Sequence, residues 1–327
     1  MKVSILIPVY RESTILKTLL RKFLSDKYKD KEILVGVDKP TKKTLRIIRK
    51  YKKVKFSVSK KRRGKVNTLN YLFRLSQGKV LLFVDSDTLP KGRNFLTKLV
   101  KEIEDTDLLD MKKDIILDSF LSKLVNYEYV ILNLVSWFCG KFMNRTLFLN
   151  GSAFAVKRKV FEEVGGFKKS YAEDFELAKE LFLKGKKYKY SKHLRVSTQA
   201  PSTLKEWLKQ RKRWGNGLGI WIRNNKKILK KTFRSNLKLF FPFLLVIYPY
   251  FILFISFLSF NIYLLALSFF ASTLTFFTLS KKFEFRFNPL DFLIYYYFYF
   301  PLSIIFLFLN TLKSLLSKEV IVEDWKI

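Results

Sequence analysis

The feature that most constrains the fold is a repeated alternation of apolar runs and helical patterns in the N-terminal part of the chain. Runs rich in β-branched residues precede amphipathic stretches four times, at 3–9 then 12–24, 33–37 then 41–51, 54–58 then 65–75, and 80–84 then 93–103. This alternation predicts right-handed βαβ units and a parallel sheet. In such α/β sheets, ligands bind at the carboxyl ends of the strands.

Acidic residues follow two of these predicted strands. Asp38 comes directly after the second strand, and Asp85 and Asp87 follow the fourth with one residue between them. Two carboxylates so close in sequence can approach one hard cation whose remaining ligands are diphosphate oxygens and water. The alternative for this pair is an acidic turn. Asp38 could hydrogen-bond a base or a ribose, or form a turn before Lys39-Pro40.

Two further charged segments lie at predicted helix starts. Lys65 opens the helix at 65–75, where its ammonium and the helix N-terminus could both face phosphate, although a charge run is more often a solvated surface. Glu173 and Asp174 open another predicted helix at 173–183. Such acidic residues commonly stabilise a helix N-terminus, but Asp174 could also accept a proton from an acceptor hydroxyl.

The charge and the aromatic content together favour a membrane. The formal charge of +36 suits polyanions, which include nucleic acid, anionic lipid and phosphorylated substrates. The chain carries 34 Phe and 16 Tyr, and their concentration toward the C-terminus suits a bilayer segment better than a nucleic-acid binder. Cys139 is the only cysteine, which excludes an intrachain disulfide and a thiolate cluster.

The C-terminal part predicts three membrane spans. No charged residue occurs from 239 to 279, which is enough for a hairpin of two spanning helices, and 292–310 gives a third span. Basic residues precede the first span and follow the hairpin, which places both ends on the cytoplasmic side. They are Arg223, Lys226, Lys227, Lys230, Lys231, Arg234, Lys238, Lys281, Lys282 and Arg286. We therefore expect a multi-pass cell-membrane protein with a cytoplasmic N-terminal domain.

A basic, Trp-containing stretch precedes the predicted spans. Trp207, Trp214 and Trp221 recur every seven residues, so their indoles share one face if this stretch is one helix. Glycines between 215 and 219 could divide it into two interfacial helices. Within it, Gln210, Arg213 and Trp214 form a Q-x-x-R-W pattern that could hold a leaving diphosphate and stack on a sugar, or simply anchor the chain at the interface.

Seven segments, taken in order, resemble the motifs of family 2 glycosyltransferases, and particularly the membrane-integrated branch with hyaluronan, chitin and cellulose synthases and ceramide glucosyltransferases. The segments are IPVYRE from residue 7, Asp38, GKVNTLN from residue 64, VDSDT from residue 84, NGSAFAVKR from residue 150, AEDFELA from residue 172 and QRKRW from residue 210. Ala172 stands where the family usually has Thr.

The resemblance implies a GT-A fold, with a Rossmann-like, mostly parallel sheet, and inverting transfer from a nucleotide sugar, usually a UDP-sugar, with Mg²⁺ or Mn²⁺. It also implies a role for each matching residue. The nucleotide contacts are Pro8, Tyr10, Glu12 and Asp38; the diphosphate contacts are Lys65 and Asp85; the metal ligands are Asp85 and Asp87; the base is Asp174; and Gln210, Arg213 and Trp214 meet the acceptor.

The predicted domains are a GT-A domain at 1–202, interfacial helices at 203–236, three spans at 237–312 and a tail at 313–327. We expect a glycan or lipid acceptor, a bilayer environment and no nucleic acid. Polymer synthases generally carry more spans, so this chain could instead add one sugar to a polyprenyl phosphate or glycolipid, or act as a homo-oligomer. A basic, membrane-anchored nucleic-acid binder is the alternative outside the enzyme class.

Overall fold

The computed structural model describes residues 1–239, 241, 244, 251, 254–256 and 258–317. These residues divide into two compact units. The first comprises Met1–Lys113 and Cys139–Gln199, and the second comprises Asp114–Phe138 and the described part of Ala200–Ile321. The chain passes from the first unit to the second near the predicted boundary at 202, but residues 114–138 group with the second unit. The finer domain limits remain a prediction.

An eight-stranded mixed sheet organises the first unit, in the order β3-β2-β1-β4-β7-β6-β8-β5. Its strands are β1 Val3–Tyr10, β2 Lys31–Asp38, β3 Lys55–Ser59, β4 Val80–Val84, β5 Thr88–Lys91, β6 Leu108–Ile116, β7 Ala153–Lys157 and β8 Tyr188–Gln199. The first four strands pair in parallel, which confirms the expected α/β sheet. Strand β7 is antiparallel to both β4 and β6, and β5 is antiparallel to β8.

Helices connect the strands of this sheet. They are α1 Leu16–Ser25, α2 Lys42–Lys50, α3 Lys65–Leu75, α4 Phe95–Ile103, α6 Arg158–Glu163 and α7 Glu173–Leu183. Helices α3 and α7 begin and end at the predicted residues. Helix α1 begins later than predicted, because Ser13 and Thr14 hydrogen-bond to Ser86 and Gln199 instead of entering the helix.

The core of the first unit lies where α1 and α4 cover the central strands. Alternate residues of β1, from Val3 to Val9, are almost fully buried against apolar side chains of α1 and α4. Strand β4 is buried along its whole length. This packing fixes the carboxyl ends of β1 and β4, from which several of the predicted site residues extend.

The second unit contains four long helices whose residues the structure describes in full. Helix α5 spans Phe120–Phe138, α8 spans Leu204–Ser235, and two more helices span Ile262–Phe283 and Pro289–Leu316. Helix α8 continues through its glycines, so the two-helix alternative for this stretch is wrong. A Cβ atom at Gly219 would lie 2.3 Å from the carbonyl oxygen of Thr311, which shows how closely α8 approaches the helix Pro289–Leu316.

Two of the described helices, Ile262–Phe283 and Pro289–Leu316, are long and apolar enough to cross a membrane. They contain the second and third predicted spans, while the first predicted span and the tail beyond 317 lie mostly outside the described residues. Trp207 and Trp221 are buried within the second unit, so these two indoles are not available to lipid headgroups.

Candidate active site

A small cleft opens at the carboxyl ends of β1 and β4, with about 240 Å³ of empty volume. Its lining contains four residues that the sequence predicted, namely Pro8, Lys65, Asp85 and Asp174, and Glu173 lies beside them. Its apolar wall is formed by Leu69, Phe83, Val84, Phe154 and Phe167. The structure therefore brings together residues that are up to 166 positions apart in the chain.

Lys65 is the central cation of this cleft. It is the first residue of α3 and follows Gly64, whose φ of +88° is accessible to glycine at little cost. Its Nζ atom lies 2.9 Å from Asp85 Oδ1 and 2.9 Å from Glu173 Oε1. Burial alone would lower the pKa of Lys65, but the two carboxylates outweigh that effect and raise it. Lys65 therefore carries a positive charge at neutral pH.

Asp174 is held by two backbone amides at the start of α7. Its Oδ2 atom accepts a hydrogen bond from Gly151 N at 3.0 Å, and its Oδ1 atom accepts one from Phe175 N at 2.9 Å. Burial, followed by the neighbouring Glu173, raises the pKa of Asp174 to about 7. A carboxyl group with such a pKa can exchange a proton near neutral pH, as a general base requires.

Asp85 and Asp87 begin the turn after β4. Asp85 N donates to Ser152 O at 2.8 Å, which ties this turn to the segment that carries Gly151. Burial raises the pKa of Asp85 to about 6, against the opposing effect of Lys65 and with a further contribution from Asp87. Asp87 is exposed. In the part of the chain that the structure describes, no cluster of three or more potential metal ligands occurs.

Asp38 organises the loop before α3. Its Oδ2 atom accepts hydrogen bonds from Arg63 N at 2.8 Å and Gly64 N at 2.9 Å, and Arg63 Nε donates to Oδ1 at 3.1 Å. Asp38 is almost fully buried and is not part of the cleft lining. These contacts fix the residues directly before Lys65, and a nucleotide contact for Asp38 remains a prediction.

Tyr10 and Glu12 lie at and beyond the end of β1. Tyr10 pairs with Asp38 across β1 and β2 and is 46% exposed. The guanidinium of Arg62 lies 4.4 Å from the centre of its ring. Glu12 accepts a hydrogen bond from Thr41 Oγ1 at 2.9 Å. Both residues lie outside the cleft lining, and their predicted nucleotide contacts also remain predictions.

The Q-x-x-R-W residues lie on α8, which belongs to the second unit. Arg213 is exposed, whereas Gln210 and Trp214 are partly buried. Within the described residues, Gln210 Oε1 is buried and has no hydrogen-bond partner. The guanidinium of Arg211 lies 4.5 Å from the centre of the Trp214 ring.

Sequence reasoning missed two contributions to the cleft. Glu173 is expected only to stabilise a helix end, yet it forms an ion pair with Lys65 and raises the pKa of Asp174. Gly151 lies within the segment NGSAFAVKR, in which no site residue was predicted; it precedes β7, and its backbone N–H donates a hydrogen bond to Asp174. Small residues before a strand indicate that another part of the chain packs closely there, but they do not identify the side chain that does so.

The relatives that sequence comparison finds are named as glycosyltransferases. The family model for Glycosyl transferase family group 2 matches residues 80–313. The probable glycosyltransferase YdaM of Bacillus subtilis is 28% identical over 236 residues, which are 66% of this chain and 55% of that protein. The probable glucomannan 4-beta-mannosyltransferase 6 of Oryza sativa subsp. japonica is 38% identical over 69 residues, which are 21% of this chain and 12% of that protein. The chain thus spans about half, or much less, of the length of these curated relatives.

A solved structure with a similar fold covers nearly the whole chain. It is the mannosyltransferase PcManGT from Pyrobaculum calidifontis in complex with GDP-Man and Mn²⁺, with a TM-score of 0.64 and 18% sequence identity. The similarity covers 97% of this chain and 88% of that one. At this identity the similarity concerns the fold, and it confirms the expected GT-A type of mostly parallel α/β sheet.

Proposed function

This chain belongs to Glycosyl transferase family group 2, and we propose that it transfers a sugar from a nucleoside diphosphate sugar to an acceptor hydroxyl. The observation that carries this proposal is the cleft in which Lys65, Asp85 and Asp174 meet. A cation for a diphosphate and a carboxylate with a pKa near neutrality are the two groups that such a transfer needs most.

Asp174 is the proposed general base. It accepts the proton of the acceptor hydroxyl while that oxygen forms a bond to the anomeric carbon of the donor. The bond from the anomeric carbon to the diphosphate oxygen breaks in the same step, so the configuration at that carbon inverts. The raised pKa of Asp174 supports this role because a stronger base accepts the proton more readily.

Lys65 is the proposed electrostatic partner of the leaving diphosphate. Its position at the N-terminus of α3 adds the partial positive charge of the helix to its own charge. Donor binding would exchange part of its ion pairing with Asp85 and Glu173 for phosphate oxygens. Pro8 borders the same cleft, and Tyr10, Glu12 and Asp38 are proposed to contact the nucleoside.

The residues present fit a divalent cation. Asp85 and Asp87 would supply two hard oxygen ligands, and Asp87 contributes to the raised pKa of Asp85, which a bound cation would lower. The donor diphosphate and water would supply the other ligands, as Mg²⁺ and Mn²⁺ prefer. When bound, the cation would neutralise charge on the departing diphosphate. The Mn²⁺ in the PcManGT complex supports this assignment.

The identity of the sugar is a narrower proposal. Family resemblance favours a UDP-sugar, whereas the PcManGT complex contains GDP-Man and the Oryza relative is named as a mannosyltransferase. GDP-mannose is therefore the first donor to test, followed by UDP-sugars. The proposed acceptor is a glycan or a lipid, and Gln210, Arg213 and Trp214 are proposed to contact it.

The proposed location is the cell membrane, with the sheet-containing unit on the cytoplasmic side. The two apolar helices Ile262–Phe283 and Pro289–Leu316 support this proposal by their length. Lys281, Lys282 and Arg286 lie at the short connection between them, where the positive-inside rule places them on the cytoplasmic side.

A donor panel tests the proposed activity. The purified protein in lipid nanodiscs would be incubated with radiolabelled GDP-mannose, UDP-glucose or UDP-N-acetylglucosamine and Mn²⁺, with an extracted lipid and oligosaccharide mixture as acceptor. We expect labelled product from one donor and its loss in Asp174→Asn. Long products indicate a polymer synthase, and one-sugar lipids indicate single transfer. Unchanged turnover by Asp174→Asn would exclude Asp174 as the base.

A binding assay tests the alternative that the chain binds nucleic acid. A nucleic-acid binder would retain labelled DNA or RNA with a steep salt dependence, and Asp85→Asn or Asp174→Asn would not weaken this binding. We expect no binding beyond that of a charge-matched control protein at 150 mM salt, which is roughly the physiological ionic strength.

A further inference from the structure

Arg211 is a buried cation that occupies a variable position of the Q-x-x-R-W pattern. It is only 2% exposed, and its Nη2 atom forms an ion pair with Glu128 of α5. The same nitrogen donates to Tyr299 Oη at 3.0 Å. Glu128 in turn accepts a hydrogen bond from Ser303 Oγ at 2.7 Å. Three helices of the second unit therefore converge on one guanidinium.

The guanidinium of Arg211 also contacts two indoles. It lies 4.5 Å from the centre of the Trp214 ring and 5.4 Å from that of Trp207. Trp207 is fully buried, and its Nε1 atom donates to Tyr299 Oη at 2.8 Å. Trp207 is therefore fixed by its own hydrogen bond. For Trp214, the contact with Arg211 covers one ring face and restricts the rotamers that the side chain can adopt.

The backbone of the C-terminal helix is adapted to this cluster. The segment Tyr295–Tyr299 forms a π-type turn within the helix Pro289–Leu316. A π-type turn rotates the following residues relative to a regular α-helix and is frequent at functional sites. Tyr299 is the last residue of the turn, and its hydroxyl contacts both Trp207 and Arg211.

Stability alone is a weak reason for this arrangement. Desolvation of a buried ion pair commonly cancels its attraction, and apolar replacements of similar volume are often neutral or stabilising. What a buried pair with defined hydrogen bonds does provide is a fixed geometry. Here the group whose geometry is fixed is the guanidinium beneath Trp214.

We propose that Glu128 and Arg211 are positioning residues, which hold the Trp214 ring in the orientation that the acceptor sugar requires. Glu128 orients the guanidinium, and the guanidinium orients the indole. This inference rests on the proposed function, because it takes Trp214 as an acceptor contact. It extends the set of residues that the reaction needs to α5, where Glu128 interrupts an otherwise largely apolar helix.

A double variant separates positioning from folding. Glu128→Gln alone leaves Arg211 buried without a counter-charge, so we expect lower thermal stability and lower turnover. Glu128→Gln with Arg211→Met removes both charges, so we expect the melting temperature to recover. Turnover of the double variant should stay at least about tenfold below wild type in kcat, because a misplaced contact group costs rate. The KM for the donor should not change.

Arg211→Lys provides a second test in which the buried charge pair is kept. We expect a stability close to that of wild type and a reduced kcat, since an ammonium lacks the planar face of a guanidinium. Lys212→Met is the matched control, because Lys212 is the next residue of α8 and is exposed. This control should have wild-type kcat and stability.

A spectroscopic readout does not require turnover. The emission of Trp214 is obtained as the difference between each protein and its Trp214→Phe derivative. We expect this difference spectrum to change in the double variant and in Arg211→Lys, but not in Lys212→Met. Wild-type kcat together with a wild-type Trp214 spectrum in the double variant would overturn the inference. If the wild-type protein transferred no sugar, the proposed function would fail, while the spectra would still test how Trp214 is held.

Discussion

The amide nitrogen of Gly151 donates a hydrogen bond to Asp174 Oδ2 at 3.0 Å, and the two residues are so close that no side chain fits between them. A Cβ atom at position 151 would lie 2.8 Å from this oxygen and 3.1 Å from Asp174 Cβ. The position of the proposed base therefore depends on a glycine that belongs to a different segment of the chain.

Gly151→Ala is expected to lower kcat at least about tenfold, because the new methyl group displaces the Asp174 carboxylate and small displacements of a catalytic group cost rate. The KM for the donor should change little. Steady-state kinetics with varied donor concentration would test this. Ser152→Ala is the control, because among the described residues the Ser152 hydroxyl is buried without a hydrogen-bond partner. Equal kcat values for the two variants would contradict the prediction.

The rate should depend on the protonation of Asp174. A base must be ionised, and the pKa of Asp174 is raised to about 7, so kcat/KM should rise with pH up to about this value and then level off. A profile from pH 5.5 to 9, with constant ionic strength, would measure the apparent pKa. Asp174→Asn should lower kcat by about 10²- to 10⁴-fold and abolish the rise of kcat/KM with pH. A profile that is flat between pH 5.5 and 7 would assign the base elsewhere.

Asp87 is expected to govern the requirement for the cation. Asp87→Asn should raise the Mn²⁺ concentration for half-maximal activity at least about tenfold, because a neutral amide is a much weaker ligand for a hard cation. The fold should be kept, since Asp87 is exposed. Asp105→Asn replaces another exposed carboxylate and should leave the Mn²⁺ titration unchanged. Superimposable titrations for wild type and Asp87→Asn would remove Asp87 from the metal site.

Gly219 is expected to be important for the stability of the second unit. Gly219→Ala would place a methyl group 2.3 Å from Thr311 O and 2.9 Å from Ser314 Cβ. Overpacking of this kind costs about 1–3 kcal/mol, so the melting temperature in detergent should fall by several degrees. Asn224→Ala, on an exposed position of the same helix, should have a wild-type melting temperature. Equal melting temperatures for the two variants would show that the close contact between Gly219 and Thr311 is absent in solution.

The sequence predicted those parts of the fold that local patterns determine. Helix α3 is preceded by a glycine, and α7 has acidic residues in its first turn, so the limits of both helices could be predicted. The reversal of β7 could not, because β7 follows a long excursion of the chain through α5 into the second unit. Its antiparallel pairing with β4 depends on non-local contacts that a local pattern does not encode.

The same distinction applies to the candidate site. The sequence predicted that Lys65, Asp85 and Asp174 belong together, through the strand ends and the family resemblance. It did not reveal that Glu173 pairs with Lys65, because an acidic residue in a first helical turn is adequately explained by the helix dipole. Glu128 was visible only as an interruption of an apolar helix, and its partner Arg211 is 83 residues away.

The charge balance of the cleft has a consequence for the order of events. Three carboxyl groups, from Asp85, Glu173 and Asp174, surround the single ammonium of Lys65. A nucleoside diphosphate that binds here adds negative charge beside these carboxyl groups, which costs free energy unless they take up a proton or a cation. We therefore expect donor binding to follow or accompany the uptake of a proton or a divalent cation, so the apparent affinity for the donor should rise with the concentration of that cation.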